Sequence, residues 1–269
     1  MSARPKKSFG QHFLHDQRYI ERIVSAVTPR ADDFVVEIGP GEGALTLPLL
    51  KAAGKLTAIE LDTDLIPALQ ARASSVGALE IIQADVLKVD FTALAQQHGV
   101  AKLRLVGNLP YYISSPILFH CVEHFGAIED LHFMLQKEVV ERMAAVPGSK
   151  VYGRLSVMLQ LACRVEPLFD VPAVAFRPPP KVESAVVRLV PLAAHERHDA
   201  VPEHVYAVVK AAFGQRRKTL SNALKQLLTS DAIRRADVDP MARAETLAPD
   251  AFVRLAKVYA SVQPASVTS

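Results

Sequence analysis

Short apolar runs alternate with helically spaced apolar positions through the first two thirds of the chain. Residues 34–38, 56–60, 79–83, 103–106 and 131–136 read as strands, because each run is brief and apolar and ends at turn-forming residues. Helix patterns cover 44–52, 62–73, 115–125 and 153–163. Residues 16–27 precede the first strand, with Asp16 positioned to cap a helix whose Ile20, Ile23, Val24 and Val27 share one face. Pro48 breaks the local propensity of 44–52 and leaves the start of that helix open. This alternation predicts a mostly parallel sheet with crossover helices, an α/β fold. After the prolines at 178–180, residues 184–190 read as one more strand. A polar stretch at 193–200 follows, and then only helices: 201–213, 219–228, and a last one from Pro249 to about Tyr259, with Pro202 and Pro249 suited to first turns. The change of pattern predicts a boundary near 195, with domains at 1–195 and 196–269.

Composition agrees with a globular protein. The chain has 269 residues, 50% hydrophobic and 22% charged, enough for one large domain or two ordinary ones, which excludes disordered and fibrous classes. Cys121 and Cys163 stand far apart in the chain and support neither a disulfide framework nor a zinc site, so a reducing compartment is expected. The uncharged run 105–122 has the length of a membrane span, but Asn108, Pro110, Ser114, Ser115 and Pro116 interrupt it. Arg4, Lys6 and Lys7 are not followed by an apolar segment, so no signal peptide is read and a cytoplasmic protein is expected. His120 and His124 have the spacing of a metal pair, yet no third ligand accompanies them, and no metal is expected.

Charge is segregated. The net +3 divides into +4 over residues 1–30, −6 over 31–100, +2 over 101–190 and +3 over 191–269. An acidic block suits a cationic or hydroxyl-rich small ligand and the basic flanks suit a polyanion, although solvated surface charge accounts for the balance equally well.

Candidate chemistry begins where the first strand meets Gly39, Pro40, Gly41, Glu42 and Gly43 ahead of a helix. Glycine at such a turn lets a ligand approach bare backbone. Glu60 ends the next strand, where a carboxylate can accept hydrogen bonds from ribose hydroxyls, so the pair points to an adenosine-containing cofactor. Asp85 follows the third strand, placed either to meet an adenine amine or to cap a turn. These features fit a nicotinamide dinucleotide as well as S-adenosylmethionine. The segment 107–116 (GNLPYYISSP) narrows the choice. An adenine amine is a weak nucleophile until its lone pair is localised, and fixed acceptors for both amine protons favour that. Asn108 offers a side-chain carbonyl, Pro110 fixes the backbone so that the Leu109 carbonyl offers a second, and Tyr111 offers a ring for the base.

The chain resembles the small-subunit ribosomal RNA adenine N6,N6-dimethyltransferases of the bacterial KsgA type over nearly its full length. The resemblance is carried by residues 7–14 (KSFGQHFL), 36–41 (VEIGPG), 107–111 (GNLPY), 132–139 (HFMLQKEV), 153–158 (GRLSVM) and 178–189 (PPPKVESAVVRL). It implies a Rossmann-like class I methyltransferase domain followed by a small all-helical RNA-binding domain. It further implies S-adenosyl-L-methionine as donor, and as acceptors two adjacent adenosines near the 3′ end of small-subunit rRNA in a pre-ribosomal 30S particle. By the same resemblance His12 and Leu14 line the cofactor site, Gly39 lies against the methionine part, Glu60 holds the ribose, Asp85 meets the adenine amine and Asn108 sits at the transfer point. Family members commonly carry Asn where His12 and Tyr112 stand here. Adjacent cations Arg216, Arg217 and Lys218, with Lys6, Lys7 and Lys181, are the expected RNA contacts. Nothing in the sequence demands more than a monomer. The competing readings are a large-subunit rRNA adenine methyltransferase, a nicotinamide dehydrogenase, and a non-catalytic ribosome-assembly factor on the same scaffold.

Overall fold

The computed structural model describes residues 12–215 and 217–263. Lys6, Lys7 and Arg216 lie outside these residues. The chain begins with β1 (Phe13–Leu14), α1 (Gln17–Val27), β2 (Val35–Ile38), α2 (Thr46–Ala53), β3 (Lys55–Glu60), α3 (Ile66–Ala73) and β4 (Ala78–Gln83). Next come α4 (Phe91–Gln97), β5 (Leu103–Asn108), α5 (Ser114–Glu123), β6 (Ile128–Gln136), α6 (Lys137–Met143) and α7 (Arg154–Gln160). The strands β7 (Cys163–Val171), β8 (Phe176–Arg177) and β9 (Ser184–Pro191) follow, and the chain finishes with α8 (Pro202–Gly214), α9 (Leu220–Ala223), α10 (Ser230–Arg235) and α11 (Pro249–Val262).

Seven strands form one sheet in the order β4-β3-β2-β5-β6-β9-β7. The first five in that order are parallel, and β9 returns antiparallel to β6. β2 is buried along its whole length and β5 along all but its last residue, which is why both read as short, mostly apolar runs, each carrying one charged residue, Glu37 and Arg104. The winding reverses between these two strands, and ligands of open α/β sheets bind beyond the strand C-termini at such a reversal. At the other end of the strands, Arg104 donates to both carboxylate oxygens of Asp130 at 2.9 Å, to Asp33 at 2.6 Å and to the Val27 carbonyl at 2.8 Å. This fork compensates the buried charges and pins the end of α1 to the sheet.

Local signals explain the helix ends. Asp16 caps α1, accepting from the Arg18 amide at 3.0 Å. Pro48 falls in the first turn of α2, where an amide has no intrahelical partner to lose. Two expected helices are corrected. The helix expected over 153–163 stops at Gln160, and Cys163 opens β7, so Met158 and Cys163 share no helical stripe. Pro167 prevents helix beyond that point, and β7 sits at the sheet edge, where proline removes no inner ladder bond. The helix expected over 219–228 is helical only over Leu220–Ala223.

The chain divides into two compact units. One holds the sheet and runs to Val140, then resumes over Glu166–Pro191. The other combines Glu141–Val165 with the residues from Leu192 onward. This differs from a single cut at 195/196, because the segment inserted between β6 and β7 packs with the C-terminal helices. Tyr152 and Val157 from the insertion are buried with Val208, Leu220, Phe252 and Leu255, and the Tyr152 hydroxyl donates to the Leu247 carbonyl at 2.8 Å. Among the described residues no helix is long and apolar enough to cross a membrane.

Candidate active site

The loop after β2 and the end of β5 meet at the reversal of the sheet. His12, Leu14, Gly39, Gly41, Glu60, Asp85, Asn108, Leu109, Pro110 and Tyr111 all line one cavity there. Two glycines permit the close packing around it. Gly41 has φ +56°, and a Cβ on it would stand 3.1 Å from the Phe13 ring. At Gly107 a Cβ would stand 2.7 Å from the Ile38 carbonyl oxygen, so any side chain there would force β5 away from β2.

Glu60 is held by backbone donors. Its Oε2 accepts from the Gly41 amide at 3.2 Å and its Oε1 from the Asp62 amide at 2.8 Å. Each oxygen keeps a further lone pair, the requirement for receiving a pair of hydroxyls. Burial raises its pKa above the usual carboxylate range, with the two amide bonds opposing the rise. Asp85 does cap a turn, accepting from the Leu87 amide at 3.1 Å, and it lines the cavity as well.

Asn108 is oriented by a strap from the N-terminal side of the unit. β1 pairs antiparallel with β8, Phe13 opposite Arg177 and Leu14 opposite Phe176, and the His12 Nδ1 lies 2.8 Å from the Pro178 carbonyl. The strap delivers the His12 carbonyl to Asn108, whose Nδ2 donates to it at 3.0 Å. A carbonyl only accepts, so this bond decides which way the amide faces and turns Oδ1 to the other side. His12 thus acts on Asn108 through its backbone. The Leu109 amide donates to the Met134 carbonyl at 3.2 Å, which fixes the Leu109 peptide against the end of β6. Among the described residues nothing donates to Asn108 Oδ1 or to the Leu109 carbonyl, so two acceptors stand ready beside the cavity. Tyr111 is secured at both ends, its hydroxyl 2.6 Å from Ser184 Oγ and its ring stacked with His12 at 5.8 Å between centroids. Burial keeps its phenol protonated. Tyr112 is exposed at the cavity mouth.

Glu37 joins the site without having been among the residues expected from the sequence. It lies in the middle of β2, is almost fully buried, lines the cavity and leaves Oε2 without a hydrogen-bond partner. A charged residue inside a wholly apolar strand was the available signal. Burial pushes its pKa up to about 8; Thr46 opposes the rise and the nearby Glu60 adds to it. The native state keeps this proton while an unfolded carboxyl loses it near 4.5, so the contribution is full below 4.5 and is lost as pH rises towards 8. The expected loss is on the order of 4 kcal/mol across that window. Urea unfolding of the ligand-free chain at pH 5 and pH 9 should show it, and Glu37→Gln should flatten the difference. Equal pH dependence in the two proteins would mean that native Glu37 is ionised throughout.

With Glu37 included, five carboxylates line the cavity, Glu37, Glu42, Glu60, Asp62 and Asp85, and no described lysine or arginine does. Half of the acidic residues in the block 31–100 therefore stand in the wall of this site. Lys181, Arg217 and Lys218 are exposed and none of them lines it; the first belongs to the sheet unit and the other two to the helical unit. His120 donates from Nε2 to the Val89 carbonyl at 2.8 Å. Among the described residues no group of three or more His, Cys, Asp or Glu side chains is arranged to hold a metal ion.

Comparison with known proteins agrees with this architecture. The family "Ribosomal RNA adenine dimethylase" matches residues 2–261. The chain is 60% identical over 257 residues to "Ribosomal RNA small subunit methyltransferase A" of Xanthomonas oryzae pv. oryzae (strain PXO99A), covering 96% of this chain and 97% of that protein. It is 58% identical over 251 residues to the protein of the same name from Xylella fastidiosa (strain Temecula1 / ATCC 700964), covering 93% and 94%. Among solved structures, a dimethyladenosine transferase from Plasmodium falciparum superposes with TM-score 0.78 at 27% identity, covering 91% of this chain and 96% of that one. The 23S rRNA methyltransferase ErmE superposes with TM-score 0.71 at 28% identity, covering 92% and 99%. The chain belongs to the ribosomal RNA adenine dimethylase family, and its sheet unit has the class I methyltransferase fold.

Proposed function

We propose that this enzyme transfers methyl groups from S-adenosyl-L-methionine to the N6 amines of two adjacent adenosines near the 3′ end of small-subunit rRNA, within a pre-ribosomal 30S particle in the cytoplasm. The observation that carries the choice of donor is the charge of the cavity. Glu42, Glu60, Asp62 and Asp85, beside the protonated Glu37 and without a described lysine or arginine, make a wall that suits a donor with a sulfonium and an ammonium group and repels the pyrophosphate of a nicotinamide dinucleotide. When bound, S-adenosylmethionine supplies an electrophilic methyl carbon. Glu60 is the residue to hold its ribose, Asp85 its adenine amine, and Gly39 and Gly41 the backbone wall beside it. Glu37, with a buried oxygen lacking a partner, adds negative charge to the same wall once ionised.

The acceptor amine is assigned to Asn108 Oδ1 and the Leu109 carbonyl. Hydrogen bonds from both amine protons to these two acceptors turn the nitrogen lone pair out of the base plane, while the Tyr111 ring limits the tilt of the base. Since the target adenine has to leave its stack to reach Asn108, single-stranded or incompletely assembled RNA is the expected substrate form. The helical unit, with Arg216, Arg217 and Lys218, and the cations Lys6, Lys7 and Lys181 are proposed to hold the phosphate backbone, and the chain is proposed to act as a monomer.

The test offers the purified chain and S-adenosylmethionine either small-subunit or large-subunit particles from cells lacking this protein, with nucleoside mass spectrometry of each rRNA. Dimethyladenosine at two adjacent small-subunit positions is the expected product. The same product only in large-subunit rRNA would transfer the assignment to that relative's substrate, and donor binding without product would point to an assembly role alone.

A further inference from the structure

The helical unit brings two cations over one half-exposed aromatic ring. Tyr206 on α8 is 41% exposed. The Arg154 guanidinium carbon, at the first residue of α7, lies 5.9 Å from its ring centroid, and Lys210 Nζ, one turn along α8, lies 5.8 Å from it. Arg154 comes from the inserted segment and the other two from the C-terminal stretch, so the site exists only because both stretches build one unit. The described ion pairs of this unit use Arg164, Arg234, Arg254 and Lys257, and neither Arg154 nor Lys210 pairs with a described carboxylate. Glu203 lies on the preceding turn of α8 and is bonded to neither cation.

Chemistry selects the partner. A merely solvated helix face needs cations but gains nothing from a large ring in water, and an apolar protein contact gains nothing from two unpaired cations beside its ring. A single-stranded polynucleotide uses both, a base on the ring and phosphates on the cations. Duplex RNA is disfavoured, since its bases are stacked on one another and closed to the ring.

We propose that Tyr206, Arg154 and Lys210 form a docking site for a single-stranded RNA segment, with Tyr206 stacking on a base. The site rests on the rRNA substrate proposed above and adds a contact to the cations at 216–218. It makes two separable demands. The ring contributes affinity that is insensitive to salt, and the cations contribute affinity that falls as salt rises.

Fluorescence anisotropy of the full-length chain with a labelled single-stranded oligoadenylate tests both, with unfolding midpoints checked for every variant. Tyr206→Ala should weaken binding about 5- to 150-fold with no change in salt slope, while Tyr206→Phe binds as the unaltered chain does. Arg154→Gln combined with Lys210→Gln should reduce the salt slope by about 1.4, at ~0.7 per phosphate contact on a single strand. Unaltered affinity in Tyr206→Ala, or an equal loss towards a duplex of the same length, would overturn the stacking site. Failure of the unaltered chain to bind the oligoadenylate would overturn it too, and the particle methylation assay would then judge the proposed function separately.

Discussion

Replacing Asn108 by alanine is expected to lower methyl transfer at least about 100-fold, with donor affinity changed no more than a few fold. Asn108 contributes one acceptor that no described residue occupies, and its orientation comes from the bond to the His12 carbonyl. Alanine removes the acceptor and frees the strap together. Asn108→Asp separates the two effects, since it keeps an acceptor but sets a carboxylate oxygen against the His12 carbonyl. It should therefore remain severely impaired. Single-turnover rates at saturating donor, with donor affinity from calorimetry, check the prediction. Near-normal turnover in Asn108→Ala would remove the amine-positioning role.

The second large effect is on the donor. Glu60→Ala should weaken S-adenosylmethionine binding by about 1 to 3 kcal/mol, the range for losing a charged hydrogen-bond partner. Part of that loss is indirect, because Glu60 also receives the Gly41 and Asp62 amides and its removal slackens the glycine loop. Glu60→Gln should fall between, as an amide accepts from one of these donors but opposes the other. Turnover at saturating donor should change little in either variant. Calorimetric affinity equal to that of the unaltered chain would count against the ribose assignment.

Much of the sheet unit is legible in the sequence for a physical reason. Strands buried on both faces read as apolar runs, and a glycine loop, an acid and the Asn108–Tyr111 segment stand at successive strand ends. The parts that were not legible depend on distant partners. β1 and β8 are two residues each, too short to show any period, yet they bring His12 to Asn108. Glu37 stands out as a lone charge in an apolar strand, but only its neighbours, Glu60 and the cavity, tie it to the site. The helix over 154–160 has the same local pattern whichever unit it joins, and only its packing with Phe252 and Leu255 assigns it.

That assignment bears on how the protein can be dissected. A fragment beginning near residue 196 would leave behind Tyr152 and Val157, so the remaining helices would close around a void lined by Phe252 and Leu255, with the Leu247 carbonyl short of its donor. The module is threaded through its host as an excursion and a tail, and excising it intact requires joining the two pieces by a new linker.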